Sequence, residues 1–317
     1  MNAAAPGFVH VPVLVDEVVQ VFGPVPPGVV LDATVGAGGH ADAVLSSRDD
    51  LQLVGLDQDQ AALDAAAEKL APHGARVTLR RARFDQLGAA LADAGFDRLV
   101  GVMFDLGVSS PQLDDAARGF SYRHDGPLDM RMDTRSTTRA SDLVNDATED
   151  ELAGVLGRYG DERYARRIAR AIVGRRPLST TAELAEIVRD AIPAPARRTG
   201  GHPAKRTFQA IRIAVNQELD VLEPALDQAI ERLVPSGRGA VISYHSGEDR
   251  IVKRVLRAQE GRRSAPRRMP VEEEASGRIR LLTRGAVTPS RAEIESNPRS
   301  ASARLRAFER LATEVGA

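Results

Sequence analysis

Apolar residues in the first third of this chain come in short blocks, and most of the blocks end on a carboxylate. Val29-Val-Leu31 stops at Asp32, Leu51 to Leu56 stops at Asp57, and Leu99 to Phe104 stops at Asp105. Val77-Thr-Leu-Arg80 is a fourth block, more polar than the others. Short apolar blocks of this kind fit strands buried on both faces better than amphipathic helices. Between them the period changes. Ala61, Ala62, Ala65, Ala66 and Leu70 recur at helical spacing, and a further helix is predicted over 85–94. Strands alternating with helices argue an α/β fold, its parallel sheet covered on both faces.

After Asp105 the alternation stops. The next convincing strand is Gly239 to Tyr244. A parallel crossover needs only about a dozen residues, so roughly a hundred are inserted. Helices announce themselves inside the insertion by two capping boxes, Thr148 with Glu151 and Thr180 with Glu183. Another helix is predicted from about Thr207 to Leu219, with Phe208, Ile211 and Val215 on one face. The expected organisation is a sheet domain in two parts, 1–113 and 214–317, around a helical domain at 114–213 that recognises the substrate. Arg278 to Thr283 and Ala301 to Arg310 can close the sheet as a hairpin, although propensity alone also allows the second to be a helix. Gly261 to Ser276 reads as a mobile loop.

Composition narrows the chemistry. At 317 residues there is room for about two domains. Hydrophobic residues make up 43% and charged residues 27%, which fits an ordinary globular protein rather than a disordered one. The absence of cysteine removes disulfides, thiolate nucleophiles and cysteine-based zinc sites. No apolar run approaches the ~20 residues of a bilayer span, and the N-terminus lacks a secretory signal pattern; a cytoplasmic protein with no membrane partner is expected. The net charge of −1 conceals a segregation. Residues 1–157 carry 24 acids and 12 bases, residues 158–212 carry 5 and 13, and residues 250–291 carry 4 and 12. Of the 43 bases, 40 are arginine. Solvated helix faces would account for this; so would two basic surfaces that grip a polyanion. Arg163, Arg166, Arg167 and Arg170 fall at helical spacings of three and four and can form a stripe.

Gly36-x-Gly38-x-x-Ala41 follows a strand and opens a helix, and Asp57 ends the next strand. Glycines let a backbone approach a ligand, and the acid can take ribose hydroxyls. NAD and S-adenosylmethionine both have such a ribose, and the motif alone does not choose. Two features favour the second. Asp32, just before the loop, would repel a pyrophosphate but tolerate a sulfonium. The fourth strand ends in Asp105-Leu-Gly-Val-Ser-Ser-Pro111, at the sheet edge where open α/β folds bind ligands. An acid and backbone carbonyls there can accept the hydrogens of an exocyclic amine, while small residues admit a flat base. As alternatives, His40 is a polar residue in a first helical turn, and Ser109 and Ser110 form a capping turn. Asp114-Asp115 and Asp129 to Asp133 could suggest a metal; none is expected, since methyl transfer requires none.

The sequence resembles the ribosomal RNA small subunit methyltransferase H (MraW) family. The matching stretches are His10-Val-Pro-Val-Leu14 with Asp16-Glu17, Gly36-x-Gly-Gly-His40, Asp105-Leu-Gly-Val-Ser-Ser-Pro-Gln-Leu-Asp-Asp115, Arg118-Gly-Phe-Ser121, Asp125 to Asp133, Arg206-Thr-Phe-Gln-Ala210, and Ser243-Tyr-His-Ser246 with Glu248 to Arg254. They run in order through nearly the whole chain. The resemblance implies a Rossmann-like class I methyltransferase sheet with an inserted helical domain. It implies methyl transfer from S-adenosyl-L-methionine to the exocyclic N(4) of a cytidine in 16S rRNA, in the decoding region of the small ribosomal subunit. It implies cofactor binding by Gly38, Gly39, His40, Asp57, Phe84, Asp105 and Gln112. Gly247 departs from the family's bulky apolar residue, and 259–277 is shorter than in many members. The amine's hydrogens could go to Asp105, to carbonyls around Ser109 and Ser110, or to His245. Phe120, Tyr122 and Tyr244 are candidates to stack on the base. Rival readings are a methyltransferase with a DNA amine or small-molecule acceptor, an NAD-dependent oxidoreductase, and a non-catalytic RNA-binding assembly factor.

Overall fold

The computed structural model describes residues 12–198, 202–260 and 277–312. The start of the His10 motif and the Gly261 to Ser276 stretch lie outside them. The chain divides into two compact units, Met1–Gly107 with Leu219–Ala317, and Val108–Glu218. The expected insertion, 114–213, falls within the second.

In the first unit α1 (Val15–Phe22) precedes β1 (Gly28–Asp32), α2 (Gly39–Ser47), β2 (Leu51–Asp57), α3 (Gln60–Leu70), β3 (Val77–Arg81), α4 (Leu87–Asp93) and β4 (Leu99–Asp105). The chain then forms the second unit, with α5 (Ser110–Asp114), α6 (Ala140–Asp146), α7 (Glu149–Gly160), α8 (Ala165–Val173), α9 (Thr181–Ala191) and α10 (Lys205–Asn216). It returns to the first unit through α11 (Leu222–Arg232), β5 (Leu233–Ser243), α12 (Ser246–Glu260), β6 (Ile279–Leu281), α13 (Arg291–Ser296) and β7 (Arg304–Arg310).

The described strands form one seven-stranded sheet in the order β3-β2-β1-β4-β5-β7-β6. Pairs from β3 through β5 are parallel, and β7 runs antiparallel to both β5 and β6. This is the Rossmann-like methyltransferase sheet the resemblance implied. Order reverses between β1 and β4, so a crevice opens at their carboxyl ends. One face carries α1, α2 and α3, through Val18, Phe22, Val44, Leu45, Leu63 and Leu70. The other carries α4, α11 and α12, through Leu87, Leu91, Leu226, Ile230, Val252 and Leu256. Covered on both faces, the central strands are mostly apolar, and Asp32, Asp57 and Asp105 stand where β1, β2 and β4 leave the core.

One strand is longer than the sequence suggested, and an open choice is decided. β5 begins at Leu233, six residues before Gly239, because Pro235, Ser236 and Gly237, which read as a turn, lie in a register shift against β4. Residues 304–310 form the sheet-closing strand, antiparallel to β6, of the two alternatives propensity allowed. Leu305 packs into one core layer and Phe308 into the other, and the segment pairs on both sides. Two-sided pairing outweighs weak local propensity.

The helical unit has its own core, built from Leu152, Leu156, Ile168, Ile172, Leu184, Val188, Phe208 and Ile211. Both capping boxes form: Glu151 N–H donates to Thr148 Oγ1 at 3.3 Å, and Glu183 N–H donates to Thr180 Oγ1 at 3.3 Å. The long motif between Arg118 and Asp133 is tied down by Asn216, which ends α10. Its Oδ1 accepts from Met132 N–H at 2.7 Å and its Nδ2 donates to the Met130 carbonyl at 2.8 Å. Arg118 donates to the carbonyls of Arg131 and Met132. Much of that motif therefore serves local architecture. Phe120 is 5% exposed inside this core, so its ring is closed off from a base. Tyr122 stacks on His202 at 4.4 Å.

Candidate active site

Three carboxylates stand at the carboxyl ends of neighbouring strands, Asp57 on β2, Asp32 on β1 and Asp105 on β4. The β1–α2 turn lies against them. Gly38 closes it in the left-handed region at φ 80°, which glycine adopts without a steric penalty. Gly39 starts α2 so close to Pro12 that a Cβ there would meet its Cγ at 2.3 Å. Asp57 clamps the turn: Oδ2 accepts from Gly36 N–H at 3.0 Å, and Oδ1 accepts from Asp59 N–H at 2.9 Å. Burial lifts the Asp57 carboxyl to about 6, against the pull of these hydrogen bonds. Asp32, 3% exposed, is lifted to about 7 by burial, with the Thr34 N–H opposing and the charges of Asp105 and Asp57 adding.

Asp105 is held from several sides. Its N–H donates to Thr34 Oγ1 at 2.6 Å, and the Tyr244 hydroxyl donates to its Oδ1 at 2.9 Å. Burial, then the Asp105 charge, pushes the Tyr244 hydroxyl above its ordinary range, so Tyr244 stays protonated and remains a donor. His40 Nδ1 lies 3.6 Å from Asp105 Oδ2. The other ring nitrogen, Nε2, donates to the Val13 carbonyl at 2.8 Å, because a carbonyl only accepts. Tyr244 is in turn fixed by Glu248, whose Oε2 accepts from the Tyr244 and His245 N–H groups at 2.7 and 3.1 Å.

Gly38, Gly39, His40, Asp57 and Asp105 thus gather at one edge. Phe84 follows β3 at the same edge, 9% exposed and edge-on to Phe104 at 6.0 Å. Ser109, Ser110 and Gln112 belong to the helical unit. There Ser109 caps α5, accepting from Gln112 N–H at 3.4 Å, while Ser109 N–H donates to Gln112 Oε1 at 3.0 Å; Ser110 is the first residue of that helix. His245 also serves as a cap. Its Nδ1 accepts from Gly247 N–H at 3.2 Å at the start of α12, and its Nε2 faces Glu248 Oε1 at 3.2 Å. A Cβ at Gly247 would lie 3.0 Å from that Nδ1, so a side chain here would press on the imidazole.

Sequence reasoning missed Thr34 and Glu248, and it read Tyr244 only as a stacking ring. The signal for Tyr244 was its position: Asp105 pairs with Ile242 across β4 and β5, which puts a polar residue at the end of β5 beside Asp105. Thr34 offered no such signal.

A cationic ligand suits this edge. Asp32 and Asp57 have no lysine or arginine ion pair among the described residues, and each is under electrostatic pressure from neighbouring carboxylates. A pyrophosphate would add to that pressure, whereas a sulfonium relieves it. The open space above Gly36, where a Cβ would meet nothing nearer than 3.9 Å, leaves room for the ligand's body. Fold and edge together define a Rossmann-like methyltransferase, with S-adenosylmethionine as its cofactor.

The profile of the MraW methylase family matches residues 7–311, and the chain belongs to that family. Ribosomal RNA small subunit methyltransferase H of Acidothermus cellulolyticus is 52% identical over 316 residues, covering 98% of this chain and 96% of that protein. The protein of the same name from Heliobacterium modesticaldum is 51% identical, covering 96% and 99%. A solved rRNA methylase from Streptococcus thermophilus aligns over 94% of each chain at 11% identity and a TM-score of 0.43, a likeness too slight to bear on fold or function.

Among the described residues no group of three or more His, Asp or Glu is placed to hold a metal, and no helix is long and apolar enough to cross a membrane. Of the four arginines expected to form a stripe, Arg166, Arg167 and Arg170 lie on α8 and Arg163 in the turn before it; Arg166 pairs with Asp150 at 3.4 Å and Arg170 with Glu149 at 3.2 Å. Arg163 lies over the Tyr164 ring, and Arg167 lines a shallow cleft with Arg175 and Asp190.

Proposed function

We propose that this protein transfers a methyl group from S-adenosylmethionine to the exocyclic N(4) of a cytidine in 16S rRNA, in the decoding region of the small ribosomal subunit. The relatives' names favour ribosomal RNA of the small subunit as substrate. The observation that carries the choice of acceptor is Asp105, its carboxylate held by the Tyr244 hydroxyl and its backbone N–H by Thr34, at the edge where the cofactor's acids converge.

When bound, S-adenosylmethionine supplies an electrophilic methyl on a cationic sulfur. Asp57 takes the ribose hydroxyls, Gly38 and Gly39 allow close backbone approach, and Asp32 faces the positive charge. Cytosine's amine is a weak nucleophile because its lone pair is delocalised into the ring, so orientation should supply most of the acceleration. Asp105 orients it by accepting an amine hydrogen; a carboxylate's two oxygens offer several lone pairs for this. The amine turns acidic as it gains the methyl, and a strong base is not required. Asp105 receives the proton, with the His40 Nδ1 beside it as the next acceptor. His245 is less suited, since its Nδ1 is engaged by the start of α12. The target base must leave its stack to reach the edge, and arginines of the helical unit offer contacts to the RNA backbone. The test is tritiated methyl transfer offered to free 16S rRNA, small subunits, whole ribosomes and DNA. Label in DNA alone, or in none of them, refutes the reading.

A further inference from the structure

Away from the acid-lined edge, the sheet unit carries a cleft of about 270 Å³ between α12 and the β6–β7 end of the sheet. Leu256, 1% exposed, lies in its lining. Lys253 and Arg257 stand four residues apart on α12 and share one exposed face, while Val252, Val255 and Leu256 face the core. Arg284 and Thr283 enter from the segment after β6, and Arg306 from β7. Glu260 is the carboxylate in the lining.

These groups differ in how they are held. Arg306 is locked by Asp249, donating through Nε at 2.8 Å and Nη2 at 3.1 Å. Thr283 Oγ1 accepts from Ala307 N–H at 3.3 Å, which leaves its hydroxyl hydrogen to donate elsewhere. Lys253, Arg257 and Arg284 have no ion pair among the described residues. Three cations with no ion pair among the described residues, against one carboxylate, line a single concavity with a hydroxyl donor, a better match for a tetrahedral oxyanion than an open solvated face.

The geometry points to a phosphate-binding cleft that takes the phosphodiester backbone of the RNA strand flanking the methylated base. This rests on the proposed RNA substrate. Position supports it: α12 starts beside Asp105, through Tyr244 and Glu248, and carries Arg257 roughly 14 Å further along its axis. That spacing assigns the bound phosphate to a neighbouring nucleotide rather than to the target.

The test uses the full-length protein with Lys253→Ala/Arg257→Ala, and with Lys253→Arg/Arg257→Lys, which keeps the charge. Binding to small-subunit rRNA is followed across salt concentration. A single-strand phosphate contact contributes a slope of about 0.7, so losing two should lower the slope by roughly 1.4. The wild type should then lose about sevenfold more affinity than the alanine variant between roughly 50 and 200 mM salt. The charge-keeping variant should retain the wild-type slope. S-adenosylmethionine affinity and melting temperature should stay at wild-type values in both, which separates loss of contact from loss of fold. An unchanged slope in the alanine variant, with a wild type that binds and methylates rRNA, overturns the cleft and leaves the RNA reading intact. A wild type that methylates no RNA removes the reading itself, and the cleft with it. Cytidine 5′-diphosphate binding that the alanine variant abolishes, with the RNA slope intact, overturns the backbone assignment in favour of a free nucleotide.

Discussion

Replacing Asp57 by asparagine separates a cofactor ligand from a structural residue. In the apoprotein the Asp57 carboxylate is a burden: with its carboxyl lifted to about 6, keeping it ionised at neutral pH costs at most roughly 3 kcal/mol. Asparagine removes that cost. It has one oxygen where the carboxylate uses two, so either Gly36 N–H or Asp59 N–H loses its acceptor, a loss of about 1–3 kcal/mol. The two nearly cancel, and apoprotein stability in urea should change little. Binding should change more. Charge-assisted hydrogen bonds to ribose hydroxyls are worth about 1.5–3 kcal/mol and neutral ones about 0.5–1.5. Calorimetric titration with S-adenosylmethionine should therefore show a dissociation constant about 5- to 13-fold higher. The pH dependence follows from the direction of the shift. A carboxyl raised in the folded state favours the apoprotein below the unfolded value of 3.8, and that contribution is lost as pH rises through about 6. A cationic ligand prefers the ionised form, so wild-type affinity should drop by up to about tenfold on acidification from pH 7.5 to 5 through this group. The variant should keep only the part due to Asp32. A variant with wild-type affinity, or one whose lost affinity is matched by lost apoprotein stability, refutes the reasoning.

Other perturbations probe the rest of the site. Tyr244→Phe removes a hydrogen bond to a charged acceptor and should lower kcat/KM for the RNA about tenfold; unchanged kinetics would show that Asp105 needs no such support. Asn216→Ala removes an acceptor from the Met132 N–H and a donor from the Met130 carbonyl and should destabilise the helical unit by about 3 kcal/mol or more, read from urea unfolding. Neutralising Arg163 and Arg167 should lower the salt slope of RNA binding by roughly one to two, more than neutralising Arg166 and Arg170, which already have acidic partners. Equal slopes in all these variants would reduce the stripe to a solvated face.

The legibility of this molecule follows the range of the interactions involved. The parallel strands could be read because each is a buried run that must end where the core ends, and Asp32, Asp57 and Asp105 mark those ends. The capping boxes at Thr148 and Thr180 were legible because they close over three residues. β7 was ambiguous because Arg304, Arg306, Glu309 and Arg310 are tolerated in a helix, and only its neighbours on both sides decide. The extra length of β5 was hidden by Pro235, Ser236 and Gly237, which carry turn chemistry into an irregular strand. The support around Asp105 was out of reach for another reason. Thr34 and Tyr244 lie 71 and 139 residues away in sequence, and their hydrogen bonds exist only once the sheet is ordered. His245 read as a candidate base because a histidine's role as a helix cap depends on where its ring turns, which composition does not reveal.

The central claim is the atom that receives the methyl. Carbon-5 methylation of cytosine usually requires a covalent nucleophile, most often a cysteine, and the chain has none. Ribose methylation requires a base to activate a hydroxyl, and the three lysines, Lys69, Lys205 and Lys253, all belong to helices, none to the carboxyl end of a strand. An exocyclic amine needs acceptors for its hydrogens, which Asp105 can provide. Nucleoside mass spectrometry of small-subunit RNA, after reaction with methyl-labelled S-adenosylmethionine, measures the outcome directly. The label should be recovered as N(4)-methylcytidine; recovery as 5-methylcytidine or 2′-O-methylcytidine, with none at N(4), would contradict the account.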